Sequence, residues 1–408
     1  MVQDAARLAD VEVKHDRVRQ LLDQHRADAL LLQDSANISW LTAGADLQRC
    51  ASEDCETSLF VTRDARLFAT NSVDSAQIFE REAFGLGFQL KQRDWYEPHS
   101  ELVSDLCRGR TVLSDRPVRH AKPMRRAIRT MRLPLTALEA ERLRTLGHVA
   151  VHAIEATGHN LQAGQTEAEV AGEISHRLMK RTVAAARVNV CGDGRNERYR
   201  HWTFGDRPIE HYAAISCVAR RWGLHVGVTR TVCIDHVPDP LLQSFRHASM
   251  VHATGIFFSR TGSRLSDVWQ KVQRIYEKFG MASEWQLADQ ANVIGYGLSD
   301  VQLRPAADFK LPASSAMFWH PSVGPAMVGD TILCTESANE QLTSSSTWPR
   351  VSVRVKGCEV TCPGILLVGP QRSSSTPEEL RPTEVSCPEH PEELPLENVE
   401  SVWELNVP

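Results

Sequence analysis

Residues 199–232 read YRHWTFGDRPIEHYAAISCVARRWGLHVGVTRTV. Small and β-branched residues crowd both sides of one short polar break, and that pattern predicts a β-hairpin. The first strand covers 213–219, residues 220–223 make the turn, and the returning strand ends in Thr229-Arg230-Thr231. Ahead of the hairpin, a loop carries His201 between Arg198, Arg200 and the first strand. Histidine takes and returns a proton near neutral pH with little tuning, which makes His201 a candidate acid or base.

Upstream, residues 11–26 set Val13, Val18, Leu21 and Leu22 on a helical stripe, and 29–32 form a short buried strand. Residues 37–44, NISWLTAG, read as a turn. Strand signals at 58–61, 67–69 and 111–113 alternate with helical stretches, so residues 1–135 are expected to make a small α/β domain. From Leu138 the pattern changes to long helices. Leu143, Leu146, Val149 and Ile154 share one stripe, and Thr166 with Glu169 three residues on forms a capping box that opens a second helix. Downstream of the hairpin, 240–260 and 265–279 read as two more helices, the latter stopped by Gly280. Strands around 348–349 and 351–355 close this second domain, 136–369. Residues 370–408 are rich in Pro, Glu and Ser and too poor in apolar residues to offset ordering entropy, the composition of a flexible acidic tail. The fold class is α/β (α+β).

With 408 residues, 42% hydrophobic and 24% charged, the chain has the material for two cores and a tail. A formal charge of -5 and a pI near 6.4 give no electrostatic case for a nucleic-acid partner. No apolar run approaches the roughly 18 residues of a membrane span, and the first residues are polar and acidic, unlike a signal peptide. A soluble, cytoplasmic protein is the expectation. Ten cysteines are scattered; Cys50/Cys55 and Cys358/Cys362 are spaced wider than a zinc knuckle, so the set reads mostly as buried thiols, with a bound metal or a redox disulfide at either pair as the alternative.

Taken together, these motifs resemble the pita-bread hydrolases: Xaa-Pro aminopeptidases, prolidases, methionine aminopeptidases and creatinase. Gly227-Val228-Thr229-Arg230-Thr231 resembles the family's Asp-Ile-Thr-Arg-Thr, and NISWLTAG its Asn-Ile-x-Tyr-Leu-Thr-Gly. Residues 164–169 are similar to Gly-x-Thr-Glu-x-Glu, 290–296 to a Gly-His-Gly-Ile-Gly strand, and 316–321 to Gly-Met-x-Phe-x-x-Glu-Pro. Ser299-Asp300 stands at a His-Glu pair and Gly329-Asp330-Thr331 at Glu-Asp-Thr. The resemblance covers roughly residues 12–368. It implies a two-domain architecture, a creatinase/prolidase-type domain before a pita-bread domain, and a homodimer in which the first domain caps the partner's site.

The resemblance also places five metal-ligand positions at Ser216, Gly227, Asn292, His320 and Gly329. Divalent cations take carboxylate or imidazole donors, so no metal or other cofactor is expected there. Two function classes follow. The one the His201, Arg198, Arg200 and Arg230 set favours is a metal-independent hydrolase, like creatinase, cutting a carbon–nitrogen bond of a small molecule or short peptide with His201 as general acid or base; the arginines favour an anionic substrate. The other is an inactive pseudo-peptidase that binds a partner, as in the pita-bread domain of a histone chaperone. The first predicts a closed polar pocket around His201, the second a filled one. For catalysis the candidates are His201, His225, His320 and Asp300; for substrate binding, Arg198, Arg200, Arg230, Ser216, Asn292 and Tyr296. His225, two residues from Gly227, shares its strand face, so three imidazoles are expected to converge. Alternatively His225 and His320 simply hydrogen-bond across the emptied site, or the three hold a relocated metal, and the arginines make structural salt bridges.

Overall fold

The computed structural model describes residues 4–47, 56–336 and 338–369; Cys50, Cys55 and the tail at 370–408 lie outside the described residues. The chain begins with α1 (Ala5–His25), opened by Asp4, whose carboxylate accepts the Arg7 N–H. A six-stranded sheet follows, built from β1 (Ala29–Leu32), β2 (Ser58–Val61), β3 (Arg66–Asn71), β4 (Gln89–Arg93), β5 (Val112–Ser114) and β6 (Ala121–Pro123), in spatial order β4-β3-β2-β1-β5-β6. The unbroken apolar run Ala29–Leu32 belongs in the middle, where both strand faces are covered. Between the strands lie α2 (Ser35–Leu41), the short α3 (Ser75–Gln77) that continues as a π-turn, and α4 (His99–Cys107); α5 (Arg125–Arg132) follows β6.

The stretch NISWLTAG is helical through Leu41, a correction to the expected turn. Ile38, Trp40 and Leu41 are all buried on that short helix, and the chain leaves it through positive φ at Ala43 (49°) and Gly44 (96°). Seven residues are too few for a helical period to be read.

The second domain repeats one pattern, two helices and then three long or central strands. First come α6 (Ala137–His159) and α7 (Glu167–Met179), then β7 (Ala184–Gly192), β8 (Tyr212–Arg221) and β9 (Leu224–Ile234). Both helices open with a capping box, Thr166 with Glu169 as expected and Thr136 with Glu139 in addition. Then come α8 (Asp239–Phe258), α9 (Leu265–Lys278), β10 (Ala291–Ile294), β11 (Val301–Gln302), β12 (Ser315–Trp319), β13 (Ser322–Val323), β14 (Ala326–Met327), β15 (Asp330–Cys334) and β16 (Glu340–Gln341). A hairpin of β17 (Arg350–Val355) and β18 (Cys358–Pro363) leads to β19 (Ile365–Val368), which returns to pair in parallel with β9. The resulting sheets are β19-β9-β8-β7 and β11-β10-β12-β15-β16. They meet along the first half of β9, where His225 N–H donates to Gly295 O and Thr229 N–H to Gly329 O, each at 2.9 Å.

The central hairpin is longer and tighter than its sequence suggested. Arg220 and Arg221 belong to β8, and the turn is only Trp222-Gly223, both with positive φ, as a two-residue hairpin turn requires. The arginines had looked like loop because both are charged; here they sit half-buried at the strand end. Also missing from the sequence reading is β7, which pairs with β8 from Ala184↔Arg220 to Gly192↔Ala213. Cys358 and Cys362 stand on one strand, β18, and neither is in a disulfide. Among the described residues no helix is long and apolar enough to cross a membrane.

Charged side chains buried between the domains hold them together. Lys14, fully buried, contacts Asp10 at 2.5 Å and Glu139 at 2.6 Å, and donates to the Tyr296 hydroxyl at 3.3 Å. Arg132 pairs with Asp300 and donates to Asn37 Oδ1 at 2.7 Å, while the Asn37 amide donates to Asp115 at 2.8 Å. A buried charge stripped of its partner keeps its desolvation penalty with nothing to offset it. Asp300→Ala is therefore expected to lower unfolding free energy by about 3–5 kcal/mol in urea titration, whereas Arg132→Met/Asp300→Leu together cost much less. A near-neutral single replacement would show that the pair does not carry the domain contact.

Candidate functional site

Of the five positions assigned to metal ligands, Gly227 and His320 lie directly against the ring of Phe318, and Asn292 pairs with Phe318 between β10 and β12. A Cβ at Gly227 would stand 2.5 Å from two Phe318 ring carbons, a distance real Cβ atoms do not tolerate. The ring lies against bare backbone and packs on His320 in a tilted arrangement, 4.7 Å between centroids and 38° between planes. At Gly329 an added Cβ would meet Thr229 Oγ1 at 2.7 Å. Ser216 and Thr229 face each other across the hairpin, with their hydroxyls 2.9 Å apart. Thr331 closes the remaining space, its hydroxyl donating to Gly227 O at 2.7 Å and accepting the Gly227 N–H at 3.0 Å. Phe318 and a ladder of hydroxyls fill the volume where ligands for two metals would project.

The donor chemistry leads to the same answer. Of the five positions only His320 offers a common metal donor, and among the described residues no group of three or more His, Cys, Asp or Glu is arranged to hold a metal. A dinuclear divalent centre does not fit this site.

A polar cluster stands at one edge of the filled cavity, centred on Asp289. Its Oδ1 lies 3.3 Å from His201 Nε2 and its Oδ2 accepts from the Asn292 amide at 3.0 Å. Ser299 Oγ donates to Asn292 Oδ1 at 2.5 Å, which orients the amide so that its nitrogen also donates to His320 Nε2 at 3.0 Å. His320 thus accepts at Nε2 and is the neutral tautomer, in keeping with burial that pushes its pKa down to about 4. Burial alone would raise the Asp289 pKa, but the His201 hydrogen bond, His320 and Asn292 outweigh it and hold the carboxyl far below the usual range. His201 is raised, chiefly by its hydrogen bond to Asp289, and stays 64% exposed. Arg187, on β7, adds a guanidinium whose charge burial disfavours and Asp289 supports.

The loop that presents His201 is fixed by one carboxylate. Glu167, the first residue of α7 and fully buried, accepts from Gly192 N, Arg195 Nε, Trp202 Nε1 and Gly205 N, all at 2.8 Å. Asn189 also donates to Trp202 O at 2.6 Å. In the sequence Glu167 stood only inside the 164–169 run, between the two residues of the capping box, and nothing in its spacing announced this role.

Two of the three expected imidazoles converge; the third does not. His201 and His320 share Asp289, but His225 Nδ1 donates to Gly295 O at 3.0 Å, nearer the hairpin tip. It shares the face of Gly227, as strand parity requires, yet Phe318 occupies the space it was expected to enter. Its charged neighbours are Arg220 and Arg132, and burial lowers its pKa to about 4. Asp300 is likewise corrected, being committed to Arg132 between the domains.

The proposed substrate-binding arginines are mostly structural. Arg230 is buried against Glu155 at 3.1 Å and Asp330 at 3.0 Å, and donates to Thr343 O at 2.6 Å. Arg200 pairs with Glu284 at 3.0 Å and donates to Ser322. Arg198 alone is exposed, lying over the exposed ring of Tyr199 at 5.5 Å. Tyr296 is buried in the Lys14 network, and Ser216 is turned to Thr229. Asn292 remains in the site. Asp289 and Arg187 were missed, because one lies on the connection before β10 and the other on a strand whose pairing was not read.

Comparison with known proteins places this geometry. Residues 141–333 match the model of metallopeptidase family M24. The Xaa-Pro dipeptidase from Bacillus anthracis superposes with a TM-score of 0.70 at 17% identity, covering 88% of this chain and 100% of that one. Dipeptidase PepE from Mycobacterium ulcerans gives 0.71 at 17%, covering 89% and 99%. The N-terminal domain of FACT complex subunit SPT16 from Cicer arietinum (chickpea) gives 0.62 at 12%, covering 83% and 96%. No curated protein matches the sequence. At these identities the likeness establishes the two-domain pita-bread fold.

The buried imidazoles of the second domain and the exposed His201 have opposite pH signatures. His225, His320 and His252, the last buried on α8 beside Cys362 and Asp330, sit near pKa 4 through burial, so from about pH 6.5 down to 4 the unfolded chain binds protons that the folded chain does not. Stability is expected to fall across that window, on the order of 3 kcal/mol per imidazole by pH 4, and urea titrations at stepped pH measure it. His201 runs the other way: its small favourable contribution is complete below its unfolded pKa and is lost as pH rises through the higher folded one. In NMR titration, His201 should titrate above 6.5 and drop on Asp289→Asn; an unmoved His201 would disconnect the two.

Proposed function

We propose that this chain, a pita-bread protein carrying an M24 metallopeptidase domain over residues 141–333, is a binding protein that keeps the peptidase fold without its dinuclear metal chemistry. The observation that carries this reading is the Phe318 ring against Gly227, where any ligand side chain would collide with it. Exposed apolar surface next to the filled site supports it. Tyr199 and Phe204, 50% and 45% exposed, flank His201 on the loop anchored by Glu167, with Arg198 beside them. Aromatic and arginine side chains of this kind are the usual anchors for a polypeptide partner. The fold is compatible with such work, since one similar structure is a domain of a complex subunit. A homodimer belongs to the same proposal, and light scattering at micromolar concentration is expected to give twice the chain mass; a monomer would remove it.

One observation favours a second reading, a metal-independent hydrolase acting on a carbon–nitrogen bond. The exposed His201 imidazole is backed by a carboxylate held in its charged form, the pairing a general acid or base needs. Asp289 would orient the ring through Nε2, leaving Nδ1 to exchange a proton with an amide or amidine nitrogen.

Incubating the purified chain with Xaa-Pro dipeptides and small amides, with and without manganese or cobalt, separates the readings. The binding-protein reading expects every substrate to stay intact. Chelator-sensitive release of the first residue would overturn it in favour of a metallopeptidase. Chelator-insensitive cleavage that disappears in His201→Ala would establish the hydrolase.

A further inference from the structure

Charge in this chain is distributed very unevenly. Residues 370–408 carry nine glutamates against two arginines, so the tail is -7 while the other 369 residues together are +2. Within those 369 the counterpart is equally concentrated. From Arg116 to Thr136 there are six arginines and one lysine, and no aspartate or glutamate. Arg116 and Arg132 are paired with Asp34 and Asp300. The remaining five, Arg119, Lys122, Arg125, Arg126 and Arg129, are all exposed and have no ion-pair or hydrogen-bond partner among the described residues.

These five share one piece of the fold. Lys122 is on β6, the edge strand of the first sheet, and Arg125, Arg126 and Arg129 are on α5, which follows it directly. Ile128 and the paired Arg132 form the buried side of α5, so the other three arginines spread over its outer faces. Arg125 and Arg126 also occupy the first turn of α5, which has no acidic residue. Cations at a helix N-terminus oppose the helix dipole, and an anion laid there relieves both repulsions at once.

We propose that the acidic C-terminal segment, residues 378–404, docks on the basic face formed by β6 and α5. Reach is no obstacle. The 39 residues after Gly369 extend to about 120 Å, against a radius of gyration of roughly 21 Å for a folded body of this size. Being tethered, the segment is present at an effective concentration in the millimolar range, which an unlinked polyanion seldom matches. The contact is electrostatic, so salt weakens it.

Two experiments on the full chain test this. Glutamyl-endopeptidase cleavage within 378–404 in 50 mM salt is expected to be at least fivefold slower in the native chain than in Arg125→Glu/Arg126→Glu/Arg129→Glu, and the two rates should converge in 0.5 M salt. Equal rates in low salt would overturn the proposal. A second variant with Glu378, Glu379, Glu384, Glu392 and Glu393 all changed to Gln leaves the folded body untouched. With the basic face uncovered, it should leave a heparin column at clearly higher salt than the native chain; identical elution would also count as refutation. If the native chain binds a 20-nucleotide single strand or phosphatidylserine vesicles in 150 mM salt as tightly as the Gln variant does, the face serves a nucleic acid or a membrane and the tail does not occupy it.

Discussion

The close approach of the Phe318 ring to the backbone of Gly227 governs the centre of this molecule. Phe318 is on β12, a strand buried along its whole length, and Gly227 is on β9, where the two sheets of the second domain meet. Only a residue without a Cβ lets an aromatic ring lie there. Once the ring is in place, nearby polar groups can satisfy one another. Ser216 turns to Thr229, Thr331 bonds both polar groups of Gly227, and His320 packs at a tilt beside the ring as a neutral acceptor. An apolar ring and paired hydroxyls need no ion to balance them, whereas a cluster of carboxylates in the same volume would repel unless a cation neutralised it.

Around that neutral centre the charges have moved outward into closed pairs. Arg230 is matched by Glu155 and Asp330, Lys14 by Asp10 and Glu139, and Arg132 by Asp300. Each is buried, and apart from Lys14–Asp10, which lies within α1, each joins segments far apart in the chain, so removing one partner strands a charge between elements that must meet. The cluster on Asp289 is the exception, because one partner, His201, reaches solvent. That is where the site remains open to chemistry or to a ligand.

The fold was legible because its evidence is local. The hairpin's dense β-branched run, the Thr166–Glu169 box and the Gly280 stop are each read within a few residues, and together they fixed the order of the elements. The residue types at Ser216, Gly227 and Gly329 could also be read directly, as side chains that offer no carboxylate or imidazole. What fills the gap was not. Phe318 reaches Gly227 across two sheets, and nothing in the spacing of either residue reports the contact. The same holds for Asp289, which stands on an irregular connection and gathers His201, Asn292 and His320 from three segments. The arginines misled for a related reason. A cluster of like charges in sequence suggests a common anion, yet Arg200 and Arg230 each found a separate carboxylate in the interior.

The most direct test is a double-mutant cycle on Gly227→Ala and Phe318→Ala, read by equilibrium unfolding. Because Gly227 is in a strand with an ordinary backbone conformation, alanine there would otherwise be neutral or stabilise by up to about 1 kcal/mol. Overpacking against the ring is expected to cost about 1–3 kcal/mol, with most of it recovered when Phe318 is also alanine. A Gly227→Ala chain as stable as the native one, or a cycle with no coupling, would contradict this packing, since the ring would then not occupy the space over that backbone.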